Sequence, residues 1–306
     1  MPQLEVVGGV WSATPTPFAN DLQLDTVAVK RLVDHHLRLG VNGLFLAGTC
    51  GEGAWMTDRQ KRDLVQTVVK HAKGKMLIAV QVTDNSVARI LDNVRVARED
   101  GADIAVIAPP LFLLNATPEN VLALYTQAIR QSSLPVGIYD RGKNSNVPVP
   151  HAILPKIYAE NNVVLIKDSS VNPGRRDIAL AARQKRPGLR LLTGYEFEVI
   201  SYLQAGYDGM LLGGGIFSGY LACQIMDAVA AGKLPLAERL QRRQVRMLYD
   251  AYGGKNIKCW LSGLKRLMVE MGIFGSWKSY LNYPLTPSCV RAIQRMVKKD
   301  ADVLFP

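Results

Sequence analysis

The chain is poor in the residue types that most often announce chemistry. Its 306 residues include only four cysteines and four histidines. Cys50, Cys223, Cys259 and Cys289 are widely spaced with no CxxC pair, which argues against a disulfide framework and for a reducing compartment. His35, His36, His71 and His151 fall in helical patterns rather than at strand ends. With no HExxH run and no Cys/His cluster, no metal centre is expected. No apolar run reaches the roughly 18–20 residues that span a bilayer. The opening stretch MPQLEVVGGVWSATPTPF has no basic segment leading into a long apolar one, so no secretory leader is expected. The expected protein is cytoplasmic, with no membrane partner.

Acidic side chains are also scarce. Lys and Arg number 37 against 26 Asp and Glu, giving a net charge of +11. Residues 1–230 hold 23 basic and 21 acidic side chains, whereas residues 231–306 hold 14 and 5. The excess therefore belongs to the last quarter. That region has no nucleic-acid motif and no basic stripe interleaved with aromatics, so a nucleic-acid partner is not expected. A non-catalytic barrel with a basic binding surface is the alternative from outside enzymology, and steep salt dependence of binding would mark it.

What the chain has in abundance is apolar sequence, 48% of residues, arranged in a regular alternation. Short apolar runs occur at 10–15, 43–47, 76–82, 104–108, 135–139, 163–167, 189–193 and 209–213. Continuous apolar strands imply a sheet covered on both faces, hence a parallel one. Helical patterns lie between them, such as the stripe Val27, Val29, Leu32, Val33 and Leu37. Thr117-Pro118-Glu119 reads as a helix start, and Gly40, Gly206 and Gly232 as helix stops. Eight strand–helix units predict an α/β fold, a (βα)8 TIM barrel over residues 1–232. A doubly wound sheet would bring a Gly-rich turn after its first strand, where this chain has Pro15-Thr16-Pro17-Phe18. Residues 233–306 read as a C-terminal helical extension packed on the barrel, with helices such as Leu236–Tyr252 and Ser288–Lys299.

A barrel gathers its chemistry at the C-terminal strand ends. Strand six ends in Lys167, and a lysine closing an apolar strand is costly to bury. It either reaches solvent or stands desolvated as an amine nucleophile for a carbonyl carbon. Strand five ends in Tyr139, close enough to relay protons at strand six, or simply a rim aromatic. Strand two ends in Gly48-Thr49-Cys50-Gly51-Glu52-Gly53, whose N–H groups and hydroxyl can hold a carboxylate; an ordinary flexible loop is the competing reading. Gly213-Gly214-Gly215 allows close backbone approach to a substrate, and phosphate binding ranks below that.

These residues, in order and at this spacing, make the chain resemble the dihydrodipicolinate synthase/N-acetylneuraminate lyase family. The likeness runs through Thr14–Phe18, the Gly48–Glu52 turn, Tyr139 with Lys167 28 positions later, Gly194, Gly206–Gly209, and the late Ile257-Lys258, Gly272-Ile273 and Pro284-Leu285 pattern. It implies a Schiff-base, pyruvate-dependent class I aldolase without cofactor or metal, acting on a small 2-keto acid. It also implies a homo-oligomer, a tetramer or dimer. Lys167 would form the imine and Tyr139 would relay the proton at the C4 oxygen. Gly48, Thr49, Gly51 and Cys50 would hold the pyruvate carboxylate. The true synthases have Tyr-Asn-x-Pro-x-Arg-Thr, whereas this chain has Tyr139-Asp140-Arg141-Gly142-Lys143-Asn144-Ser145, with asparagine in place of that arginine. Phe112 stands where the synthases lend a tyrosine across subunits. Gly194-Tyr195-Glu196 is similar to the lyases of hydroxylated sugar acids, where Glu196 would meet substrate hydroxyls. Gly213 would lie against the substrate, and Arg141 could take a distal carboxylate. The expected reaction is cleavage of a 2-keto-3-deoxy sugar acid or related 2-keto acid to pyruvate and an aldehyde. Dihydrodipicolinate synthesis, or sugar-acid dehydration through the same imine, are the alternatives.

Overall fold

The computed structural model describes residues 7–306. Eight strands are each followed by a helix, and each takes up one of the apolar runs. They are β1 (Gly9–Ala13), β2 (Gly43–Leu46), β3 (Leu77–Gln81), β4 (Ile104–Ile107), β5 (Val136–Asp140), β6 (Val163–Asp168), β7 (Arg190–Thr193) and β8 (Gly209–Leu212). The helices between and after them are α1 (Thr26–Leu39), α2 (Asp58–Ala72), α3 (Val87–Glu99), α4 (Pro118–Gln131), α5 (Leu154–Tyr158), α6 (Pro173–Lys185), α7 (Ile200–Gln204) and α8 (Gly215–Ala230). All the strands are parallel and the sheet closes, β1 pairing with both β2 and β8. This is the (βα)8 barrel expected from the alternation. β1 stops at Ala13 rather than Pro15: the Thr14 N–H still reaches the Phe45 carbonyl at 3.0 Å, but proline has no N–H to carry the ladder further.

Local signals fix the helix ends. The Thr117 side chain accepts from the Asn120 N–H ahead of Pro118, and Gly40 closes α1 in the left-handed region at φ 73°. Four further helices follow: α9 (Leu234–Tyr252), α10 (Trp260–Glu270), α11 (Pro287–Lys299) and α12 (Ala301–Leu304). α9 begins two residues before the expected Leu236 because Pro235 suits a first helical turn. One continuous hydrophobic core joins barrel and extension, with Trp11, Phe45 and Phe217 packed in the same cluster as Met247, Leu248 and Leu264.

One irregularity in the sheet sets the site. Val136 pairs with Val163, but Gly137 pairs with Leu165, so the offset between β5 and β6 grows by one residue there. Such a bulge changes which side chains stand level. Beyond it, Tyr139 stands level with Lys167 and Asp140 with Asp168. Without the extra residue, Tyr139 would stand level with Ile166, and the two reactive side chains would face opposite sides of the sheet.

Candidate active site

Lys167 and Tyr139 meet inside the C-terminal mouth of the barrel. Lys167 is only 5% exposed and Tyr139 9%. The lysine Nζ lies 4.2 Å from the centroid of the Tyr139 ring and 5.2 Å from that of Phe45. The two rings meet edge to face with centroids 5.9 Å apart. Two aromatic faces beside one nitrogen hold positive charge there with little water, as a protonated imine requires. Gly194 closes the other side. A Cβ at that position would sit 2.0 Å from Ser169 Oγ and 3.1 Å from Lys167 Cε, so only glycine fits. Burial alone would raise the Tyr139 phenol, but the charges of Lys167 and Arg141 and hydrogen bonds with Ser169 and Thr49 outweigh it and bring the phenol below its ordinary value. A tyrosine tuned in this direction loses its proton more easily, so the phenolate form that can accept a proton is more accessible than in a free phenol.

The turn after β2 stands opposite. Ala47 and Glu52 both have left-handed backbone, φ 53° and 57°, a conformation costly for side-chain-bearing residues. The Gly53 N–H donates to the Gly48 carbonyl at 3.3 Å. The chain crosses itself so closely that a Cβ on Gly53 would lie 2.0 Å from the Ala47 carbonyl oxygen. Cys50 is buried, its Sγ 3.9 Å from the Gly213 carbonyl. Burial, together with the nearby Glu196 carboxylate, pushes its thiol up to about 12, so it is a neutral thiol and no nucleophile.

Glu196 is buried beside β8. The Gly214 N–H donates to its Oε2 at 2.7 Å, and the Tyr252 hydroxyl of α9 donates to its Oε1 at 2.9 Å. Burial raises this carboxyl above its usual range, although the two donors and Lys167 pull the other way. Both oxygens are engaged by protein donors, which leaves any substrate hydroxyl only their remaining lone pairs. A Cβ on Gly213 would lie 3.5 Å from Oε1 of the same carboxylate.

A cavity of about 660 Å³ opens over the ends of β2 to β5. Gly48, Thr49, Thr83, Asn85, Arg141 and Asn146 contribute to its wall. Two of its cations are already paired, Lys61 with Asp58 at 2.8 Å and Arg89 with Asp84 at 2.7 Å. Arg141 has no carboxylate partner among the described residues. The next strand residue back, Asp140, faces the other way, as strand alternation requires. It accepts from the Arg175 Nε at 2.8 Å, the Tyr158 hydroxyl at 3.1 Å and the Gly142 N–H at 2.9 Å. It is therefore a structural anion on the outer face, not a substrate contact. Phe112 is 60% exposed on the segment after β4.

Among the described residues, no group of three or more His, Cys, Asp or Glu side chains is arranged to hold a metal ion, and no helix is long and apolar enough to cross a membrane. Sequence reasoning passed over several contributors. Ser169 and Phe45 carried no signal beyond their nearness to named residues. Lys265 did carry one: a lysine on the apolar stripe Leu261, Leu264 and Met268 of α10. It is fully buried and ion-paired with Glu52.

The pattern of the Dihydrodipicolinate synthetase family matches residues 6–299. The chain is 27% identical over 247 residues to the 4-hydroxy-tetrahydrodipicolinate synthase of Anaeromyxobacter sp. (strain Fw109-5), covering 81% of each. It is 26% identical over 241 residues to the N-acetylneuraminate lyase of Rhizobium meliloti (strain 1021), covering 78% of this chain and 79% of that one. Its fold superposes on the dihydrodipicolinate synthase of Thermotoga maritima with a TM-score of 0.87 at 22% identity, over 96% of this chain and 99% of the other.

Proposed function

The chain belongs to the dihydrodipicolinate synthetase family, a family of class I aldolases and lyases, and from that premise we propose that Lys167 is its imine-forming residue and that pyruvate is one half of its reaction. The observation that carries this is the level pairing of Lys167 with Tyr139, the lysine nitrogen lying 4.2 Å from the phenol ring centroid. In the cleavage direction the Lys167 amine attacks the C2 carbonyl of a 2-keto acid, and loss of water from the carbinolamine gives the iminium. Tyr139 takes the proton of the C4 hydroxyl. The C3–C4 bond breaks, its electron pair flows into the iminium, and an aldehyde leaves. The resulting enamine is protonated at C3, and water releases pyruvate and restores the lysine. The N–H groups of the Gly48–Gly51 turn hold the carboxylate throughout, and the Thr49 side chain helps to lower the Tyr139 phenol.

For the aldehyde half we propose a hydroxylated fragment, so that the substrate is a 2-keto-3-deoxy sugar acid. The support is a cavity wall rich in hydrogen-bonding side chains, including Thr83, Asn85, Asn93 and Asn146. A second reading, condensation of pyruvate with aspartate semialdehyde, is favoured by Arg141, which could receive the second substrate's carboxylate, and by the names of the relatives. Both readings need neither metal nor cofactor. The proposal also includes a barrel of residues 1–232 carrying an extension of 233–306, and a cytoplasmic homo-oligomer, as expected for the family.

The test has two stages. Pyruvate with borohydride should add a three-carbon adduct at Lys167, and an unmodified lysine would remove the imine from consideration. Pyruvate release from a panel of 2-keto-3-deoxy acids, run beside a coupled assay with aspartate semialdehyde, then separates the two readings, with Lys167→Ala as the blank.

A further inference from the structure

The turn that receives the carboxylate is fastened from behind by residues 265–280, which do not line the cavity, although Trp260, Leu281 and Tyr283 on either side of them do. On the barrel side, the Thr16 hydroxyl donates to the Gly51 carbonyl at 2.7 Å. On the other side, the Glu52 carboxylate is ion-paired with the Lys265 ammonium of α10, and neither side chain has any exposed surface. The second Glu52 oxygen accepts from the Ser279 hydroxyl at 2.8 Å and from the Tyr280 N–H at 2.7 Å. Lys265 also donates to the Lys278 carbonyl at 2.9 Å and lies 4.4 Å over the centroid of the Phe18 ring. Every one of these Glu52 side-chain partners comes from residues 265–280. A fully buried ion pair is weak grounds for added stability, since apolar residues of similar volume often serve as well. Its location is more telling. Glu52 is the left-handed residue between Gly51 and Gly53, the point at which the turn folds back over Ala47.

We propose that Glu52 and Lys265 are positioning residues for the keto acid: their pair fixes the backbone of the Gly48–Gly51 turn, and through it the C-terminal extension sets the affinity for pyruvate without touching pyruvate. The inference rests on the reading that Lys167 forms the imine and that this turn holds the carboxylate. A small displacement of a binding backbone weakens the fit of a bound group even where the reacting residues are untouched.

The experiment follows the borohydride-trapped Lys167 adduct against pyruvate concentration in the full-length protein. The variants are Ser279→Ala, which removes one bond to Glu52, and the neutral, similar-volume double variant Glu52→Gln/Lys265→Met. Asp140→Asn, which breaks a buried ion pair on the outer face, is the control for mere destabilisation. The half-saturating pyruvate concentration is expected to rise about tenfold in the double variant and about threefold in Ser279→Ala. The plateau of trapped adduct stays at the wild-type level, and Asp140→Asn shows no change in half-saturation. If the double variant does not fold, Ser279→Ala alone decides. An unchanged half-saturation in the folded variants, or an equal rise in Asp140→Asn, overturns the proposal. Absence of adduct in the wild-type protein overturns the imine reading itself and takes the proposal with it.

Discussion

The ends of β5 and β6 present two pairs of polar residues one position apart, and the pairs have opposite fates. Tyr139 and Lys167 face into the barrel; Asp140 and Asp168 face the helices. The outward pair is saturated. Asp140 is held by Arg175, Tyr158 and the Gly142 N–H, and Asp168 by the Tyr207 hydroxyl at 2.7 Å and by the N–H and hydroxyl of Ser170 at 2.9 and 2.7 Å. The inward lysine has aromatic rings for neighbours and, among the described residues, no ion-pair partner, the Glu196 carboxylate acting on it only at longer range. Polar groups whose bonding is complete stabilise the fold, whereas a group left short of partners in a dry place remains available to a substrate. The same stretch of sequence supplies both, and strand alternation decides which is which.

Substitutions on the inner face should therefore change activity with little effect on stability, and those on the outer face the reverse. The largest effect is expected for Lys167→Ala. It removes the proposed nucleophile and is expected to lower kcat by about 10⁴-fold or more, with unfolding free energy within about 1 kcal/mol of wild type. Steady-state pyruvate release and urea titration check the two halves. Tyr139→Phe keeps the ring over Lys167 but removes the proposed proton carrier; a loss in kcat of about 10²–10⁴-fold is expected while borohydride still traps pyruvate. Loss of trapping together with turnover would mean that Tyr139 serves imine formation instead.

On the outer face, Asp140→Ala strands the buried Arg175 guanidinium and should cost about 3–5 kcal/mol of stability. The trapping kinetics of the folded fraction should be unchanged, and a matching loss of trapping would break the division between the faces. The outer face of β1 has a pH-sensitive counterpart. His36 Nε2 lies 2.9 Å from Ser12 Oγ, and His35 Nε2 lies 2.7 Å from the Ile216 carbonyl. Burial lowers His35 to about 4 and His36 to about 3. Below the ordinary value near 6.5 the unfolded chain binds protons that the folded chain does not, so stability falls as pH drops from about 6.5 towards 4. Denaturation midpoints across that range check this, and a flat profile would contradict it. The smallest effect is expected at the cavity wall. Arg141→Ala removes one of the charges that lower the Tyr139 phenol, so the part of the rate profile governed by that phenol moves to higher pH.

The barrel was legible because each strand is a continuous apolar run and several helix ends carry their own signal, as at Thr117 and Gly40. The Lys167–Tyr139 pair was legible as a spacing, although not its cause: no residue type marks the register shift beside Gly137, which comes from how two strands settle against each other. Asp140 illustrates the limit of reading a loop by comparison, since its role depends on which face of β5 it occupies and on Arg175, 35 positions on. Glu196 could be placed near the mouth, but not its donors, because Tyr252 lies 56 positions away on α9. Contacts of this length come from packing, and the local pattern does not contain them.

The tie between Glu52 and Lys265, 213 positions apart, has a consequence in time. At about 5–20 residues per second, the ribosome delivers the turn some 10–40 s before the lysine that neutralises it. In the last part of that interval, once β8 has been made, Lys167 and Tyr139 are present and all eight barrel strands can pair, while the Glu52 carboxylate still lacks Lys265 and must stay hydrated. A nascent barrel thus carries its reactive groups beside an unfinished cradle, and the last quarter of the chain completes it.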